Sequence, residues 1–108
     1  MTTPLPDPVA ALVDAVNRGD TDAFLALFPA DGRVDDWGRT FDGHAAIRQW
    51  SEREFTGAAG TLTPTKITRT GETVTVDAGW KSRFYRGDSR FVFVIRDGLL
   101  REMRIVSH

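Results

Sequence analysis

The sequence contains no cysteine. Disulfides, thiol nucleophiles and thiolate metal sites are therefore excluded, and the composition fits a cytoplasmic protein. Histidine is almost as scarce, with only His44 and His108 present. No His, Asp and Glu residues stand at ligand spacing, so no metal site is expected. Neither sign of charge dominates: 14 Lys and Arg against 15 Asp and Glu give a net charge of −1. The two signs are interspersed, which offers no nucleic-acid footprint. No run of about 18 apolar residues occurs, so no membrane span is expected. The opening "MTTPLPDP" lacks a basic n-region and an apolar h-region, so no signal peptide is expected either. There is no nucleophile elbow, phosphate loop or dinucleotide fingerprint, and hence no sign of a cofactor.

What is present is an ordinary globular balance. Apolar residues make up 41% and charged residues 27% of 108 residues, enough for one domain with one core. Residues 1–7 read as a loose, proline-rich tail ahead of a single domain over 8–108. In "DPVAALVDAVNRGD", Asp7 is a plausible N-cap and Pro8 suits the first helical position. Val9, Leu12, Val13 and Val16 form an apolar stripe, and Gly19 is a left-handed stop. Asp20 or Thr21 can cap a second helix, "TDAFLALF", with Phe24, Leu27 and Phe28 on one face and Pro29 ending it. "GHAAIRQWSEREF" predicts a third helix over about 43–55, with Ala46, Ile47 and Trp50 at helical spacing.

Between the second and third helices, "RVDDWGRTFDG" reads as two short strands around Trp37-Gly38. Strand neighbours point to opposite faces. If Val34 faces the core, Asp35 faces out and Asp36 shares the inward face. After Gly60 the chain turns β-branched and aromatic. "TLTPTKITRT", "ETVTVDAGWKSRFYR", "DSRFVFVIR" and "LLREMRIVS" predict four strands with turns at "TGE", "RGD" and "RDG", an antiparallel meander. Val74, Val76, Ala78, Trp80, Ser82 and Phe84 fall on one face of the second. Phe91, Phe93 and Ile95 can face the helices, which leaves Val92 and Val94 on the outer face. Helices followed by a meander give an α+β class, with helices packed on one face of a curved sheet.

This order resembles the cone-shaped barrel of the nuclear transport factor 2-like (NTF2-like) superfamily, which includes ketosteroid isomerases and SnoaL-like polyketide cyclases. The residues that carry the resemblance are "NRGD", "FPADGRVDDWG" and "FDGHAAIRQW", in that order, within residues 8–107. It implies three N-terminal helices packed on a curved antiparallel sheet around a conical pocket. It also implies an acid-base role for Asp36, which falls at the position of the isomerases' proton-transferring aspartate. The isomerases' two oxyanion donors fall at Leu12 and near Phe91, neither of which can donate. Missing donors cost an enolisation on the order of 3–4 kcal/mol each, which argues against steroid isomerisation and favours the SnoaL-like branch.

Each candidate residue has two readings. Asp36 is either a general acid or base, its neutral form favoured by desolvation, or a structural carboxylate that accepts hydrogen bonds or pairs with an arginine. Trp37, Trp50 and Trp80 either line a cavity for a flat apolar ligand or pack the core. Ser82 shares the Trp80 face and could donate inside the cone. His44 is a proton shuttle or a surface residue of the first helical turn. Arg48, Arg83, Arg86 and Arg90 are cationic pocket ends or surface residues. The expected ligand is an apolar, cyclic small molecule, handled without a cofactor in an isomerase-, cyclase- or dehydratase-type step. The alternative is a non-catalytic binding or dimerisation module. The outer face at Val92 and Val94 points to a homodimer under either reading.

Overall fold

The stripe of the first helix, α1 (Asp7–Arg18), buries Val9, Leu12, Ala15 and Val16 against the sheet. The helix starts one residue earlier than the N-cap assignment implied. Pro6 is the N-cap, and Asp7 lies in the first turn without capping by its side chain. Its carboxylate instead favours the positive end of the helix dipole. At the other end, Gly19 adopts φ 69°. Its N–H donates to Val16, and that of Asp20 donates to Ala15, at 3.0 and 2.8 Å. This is a Schellman motif. Asn17 then anchors α1 to the sheet: its side-chain amide accepts from Leu62 N at 2.7 Å and donates to Leu62 O at 3.1 Å.

The second helix, α2 (Thr21–Leu25), is capped by Asp20, whose Oδ1 accepts from Ala23 N at 3.0 Å. It stops short of the expected Phe28, and Leu25 rather than Leu27 takes the buried place beside Phe24. β1 (Arg33–Asp36) and β2 (Arg39–Asp42) form the expected hairpin. α3 (His44–Glu54) follows and ends in a 3₁₀ turn, Thr56–Ala58. There the hydroxyls of Thr21, Thr56 and Ser51 form a chain with links of 2.6 and 2.8 Å.

β3 (Thr61–Thr70), β4 (Thr73–Lys81), β5 (Arg86–Arg96) and β6 (Leu99–Ser107) form the expected meander. The sheet order is β2-β1-β6-β5-β4-β3. Three helices on one face of this curved sheet give the α+β cone. The sheet is mixed, not wholly antiparallel, because β1 runs parallel to β6. A bulge between Pro64 and Lys66 bends the edge strand. Inward-facing Val74, Val76, Phe91, Phe93 and Met103 build the core with α1.

One turn is misplaced by the sequence reading. Arg86-Gly87-Asp88 is not a turn: these residues belong to β5 and pair with Lys81, Trp80 and Gly79. β4 ends at Lys81 and β5 begins at Arg86, and between them Ser82 N donates to Tyr85 O at 2.8 Å. Ser82 therefore sits in a turn and not on the strand face with Trp80. A Cβ at Gly87 would lie 2.7 Å from the Tyr85 hydroxyl, so the exposed Tyr85 side chain would have to shift. The computed structural model describes residues 5–83 and 85–107. The first four residues of the expected tail, the facing of Phe84, and His108 lie outside them.

Candidate functional site

The alternation argument resolves the two adjacent carboxylates. Val34 is fully buried, Asp36 follows it inward, and Asp35 turns away. Asp35 Oδ1 accepts from Gly38 N at 2.7 Å and so stabilises the hairpin turn. That turn is Trp37-Gly38, with φ of 55° and 91°. Two positive φ values are the signature of a type I′ hairpin, in which Asn-Gly is the usual pair. A tryptophan in the first position is strained, at about 1–2 kcal/mol. Its side chain is nonetheless 61% exposed.

Asp36 has only 13% of its side chain exposed. Its Oδ2 accepts from Trp50 Nε1 at 3.0 Å and from Arg39 Nη2. Arg39 stands opposite Asp36 across the hairpin register. It also forms a two-pronged bond to Glu54 at the end of α3, 2.7 Å to Oε1 and 3.0 Å to Oε2. One guanidinium thus ties the hairpin to the helix. The Arg39 bonds hold the Glu54 carboxyl below its ordinary range, against a smaller opposing effect of burial. The Arg39 guanidinium is raised in turn, chiefly by its bond to Glu54. The structural reading of Asp36, pairing with an arginine, therefore holds in the geometry. Yet only Oδ2 is engaged. Oδ1 has no hydrogen-bond partner among the described residues, and no fully buried side-chain polar atom there is left unpaired. Oδ1 therefore retains accessible surface, and Asp36 borders an adjoining space.

That space is a cavity of about 500 Å³. α3 contributes Trp50, Arg53 and Glu54, and the chain after it contributes Phe55. Trp80, Ser89, Phe91 and Ile105 form the sheet wall. Trp37, Ser82 and Tyr85 complete the lining. Phe55 is the hub of the aromatic lining, 5.2 Å from Trp50, 5.0 Å from Trp80 and 6.1 Å from Phe91 between ring centroids. Gly60 lets Trp80 lie flat against the chain, since a Cβ there would fall 2.4 Å from the indole Cη2.

Of the candidates from the sequence, Asp36, Trp37, Trp50, Trp80 and Ser82 line this one cavity. His44 does not: it is exposed, and its ring Nε2–H donates to the Phe28 carbonyl at 2.8 Å. Arg48 and Arg90 are engaged elsewhere, with Asp22 and Asp77. None of Arg48, Arg83, Arg86 and Arg90 is a lining residue. Leu12 is core and does not reach the cavity, whereas Phe91 forms part of its wall. Sequence reasoning overlooked Arg39, Arg53, Ser89 and Tyr85. Arg39 was within reach, because a two-residue turn at Trp37-Gly38 places it directly across from Asp36. Among the described residues no group of three or more His, Asp or Glu converges as a metal site.

The model of the SnoaL-like domain matches residues 9–103. The chain belongs to the SnoaL-like domain family. No curated protein matches it by sequence. Among solved structures it is similar to a Sinorhizobium meliloti protein provisionally described as a polyketide cyclase, with 30% identity, 94% of both chains covered and a TM-score of 0.83. A Catenulispora acidiphila protein with a ketosteroid isomerase-like fold, in complex with trimethylamine, is 26% identical, with 94% of this chain and 85% of that one covered and a TM-score of 0.80. The Mycobacterium tuberculosis protein RV0760c has a TM-score of 0.85 at 17% identity over 100% of this chain and 95% of its own, which shows the shared fold alone. This SnoaL-like domain thus has the NTF2-like cone. No helix among its described residues is long and apolar enough to cross a membrane.

Proposed function

We propose that this SnoaL-like domain binds a small, mainly apolar cyclic molecule in the cavity, with Asp36 as proton acceptor or donor in a cofactor-independent step. The observation that carries the reading is Asp36, its Oδ1 without a partner among the described residues, in the lining of an aromatic cavity of about 500 Å³. Such a volume suits a small organic ligand, and aromatic walls suit a flat one. Arg39 and the Trp50 indole grip Oδ2 and fix the carboxylate's orientation, leaving the other oxygen for the ligand. A positioned carboxylate of this kind can take a proton from carbon or oxygen. Trp37, Trp50, Trp80 and Ser82 would contact the ligand.

Trimethylamine in the Catenulispora relative raises a second chemistry. Aromatic walls also attract organic cations. Here, however, Arg39 is shared between Asp36 and Glu54, and Arg53 supplies the second positive charge that balances the two carboxylates. That balance favours a neutral ligand.

The test is deuterium exchange at the carbons flanking the carbonyl of 2-tetralone, followed by NMR, alongside its binding by tryptophan fluorescence. The wild type should bind the ketone and accelerate exchange. Asp36→Asn should bind it but lose the acceleration. Equal acceleration by Asp36→Asn would sink the proton-transfer role. Binding without exchange in the wild type would leave the non-catalytic binding module.

The homodimer is part of the same proposal. Val92, Val94 and Val106 are half-buried on the outer sheet face, which no helix covers. A second copy of that face would cover them. A monomer at micromolar concentration in analytical ultracentrifugation would overturn the dimer without touching the cavity reading.

A further inference from the structure

Ser89 is 4% exposed, on the sheet wall of the cavity. Its hydroxyl has no hydrogen-bond partner among the described residues, and since no fully buried polar atom there goes unpaired, it keeps accessible surface on a residue that lines the cavity. A hydroxyl on an aromatic wall costs stability if left unbonded, so its partner there is water or a ligand. On that face, Ala78 across the strand pair on β4 and Phe91 along β5 carry no polar side-chain group.

The sheet register places Ser89 relative to Asp36. Asp36 and Phe91 both pair with Ile105 and so share one row across three strands. Two strand spacings and two further residues along β5 put the Cα atoms of Asp36 and Ser89 about 12 Å apart. Both residues line the same cavity, Asp36 from the hairpin and Ser89 from the sheet wall.

We propose that Ser89 is a specificity-determining contact, its O–H donating to an oxygen on the bound ring, so that the ligand class is an oxygenated, keto- or hydroxy-substituted cyclic compound and not a hydrocarbon. This rests on the cavity being the binding site. A site built to bond a ligand oxygen discriminates against the analogue that lacks it, because the site's own polar group is then left unpaired.

The experiment compares 2-tetralone with tetralin, the hydrocarbon of nearly the same shape, by calorimetry or tryptophan fluorescence. The wild type should bind the ketone about 5- to 10-fold tighter, the range of one neutral hydrogen bond. Ser89→Ala should erase that preference while leaving tetralin affinity unchanged, and Ser89→Thr should keep it. If both probes bind and Ser89→Ala leaves their ratio as in the wild type, the Ser89 assignment is overturned and the cavity reading stands. If neither probe binds the wild type, the cavity reading falls and this assignment with it. The melting temperature supplies an independent check. Ser89→Ala should melt no lower than the wild type, since it removes a partnerless hydroxyl. A clear drop would mean that the hydroxyl bonds the protein, and would overturn the assignment.

Discussion

Replacing Gly60 with alanine should both destabilise the domain and damage the cavity. The added Cβ would lie 2.4 Å from Trp80 Cη2, 2.8 Å from Cζ2 and 2.9 Å from the Lys81 carbonyl oxygen. Ordinary carbon contacts sit near 3.5–4.0 Å, so the indole must retreat by roughly 1 Å. Phe55, 5.0 Å away between ring centroids, blocks one direction. The open direction is the cavity. Overpacking of this kind costs about 1–3 kcal/mol. Restricting the unfolded chain by a glycine-to-alanine change returns about 0.4–1 kcal/mol. The net expectation is a loss of about 1–2 kcal/mol. For a chain of 108 residues that lowers the melting temperature by about 4–9 °C. Urea unfolding gives the stability, and the near-ultraviolet dichroism of tryptophan reports the tilted indole. Affinity for 2-tetralone should fall as the ring enters the cavity. Adding Trp80→Phe removes the colliding outer ring, so the double variant should be less destabilised than the two single effects summed. A Gly60→Ala protein as stable as the wild type, with an unchanged tryptophan signature, would refute the packing of Trp80 against residue 60.

Three further outcomes follow from the site. Trp37→Asn relieves about 1–2 kcal/mol of left-handed strain but gives up the part of the indole that is covered, worth a similar amount at about 25 cal/mol per Å². Stability in urea should therefore change by less than about 1 kcal/mol, while ligand affinity drops; unchanged affinity would remove Trp37 from the site. Glu54 gains its partner on folding and its carboxyl is held down, so its contribution is present above its ordinary value of 4.5 and is lost as pH falls below it. Melting curves between about pH 5 and 3 should therefore fall more steeply for the wild type than for Glu54→Gln, and parallel curves would deny the Arg39 link. Trp50→Phe removes the indole donor to Asp36 Oδ2. In a double-mutant cycle with Asp36→Asn it should show coupling of about 1 kcal/mol in unfolding free energy, whereas strict additivity would mean the 3.0 Å bond contributes nothing.

How much of this was legible in the sequence depends on distance along the chain. Strand alternation was enough to turn Asp36 inward, because Val34 two residues earlier sets the face. The helical stripe of α1 was legible for the same reason. The mistaken turn at Arg86-Gly87-Asp88 arose because its composition is that of a turn. What overrides composition there is the pairing with Lys81, Trp80 and Gly79, which no local window contains. Ser89 lay in the expected strand two residues before inward-facing Phe91, so its face was legible, but nothing local marked it as lining a cavity. The grip of Arg39 on Glu54 joins residues fifteen apart through the packing of a hairpin on a helix end, and charge patterning alone does not reveal it. The parallel pairing of β1 with β6 is likewise a product of the closed cone and has no local signature.

That parallel pairing also orders events in time. Asp36 takes its place beside Ile105, about 70 residues later in the chain, through a ladder of only four residue pairs. Contacts so distant in sequence are slow to form, since the closing of a long loop precedes any gain from them. During synthesis β6 is the last of the ten elements to emerge, and until it does the strand that carries Asp36 has only its hairpin partner. The helices and the β3–β4–β5 hairpins can assemble first, around an interior still open on one side. The expected order brings the carboxylate to its cavity at the final step of folding. Pulse-labelled hydrogen exchange should show the amides of β1 gaining protection together with β6 and after β4; protection of β1 ahead of β6 would contradict this order.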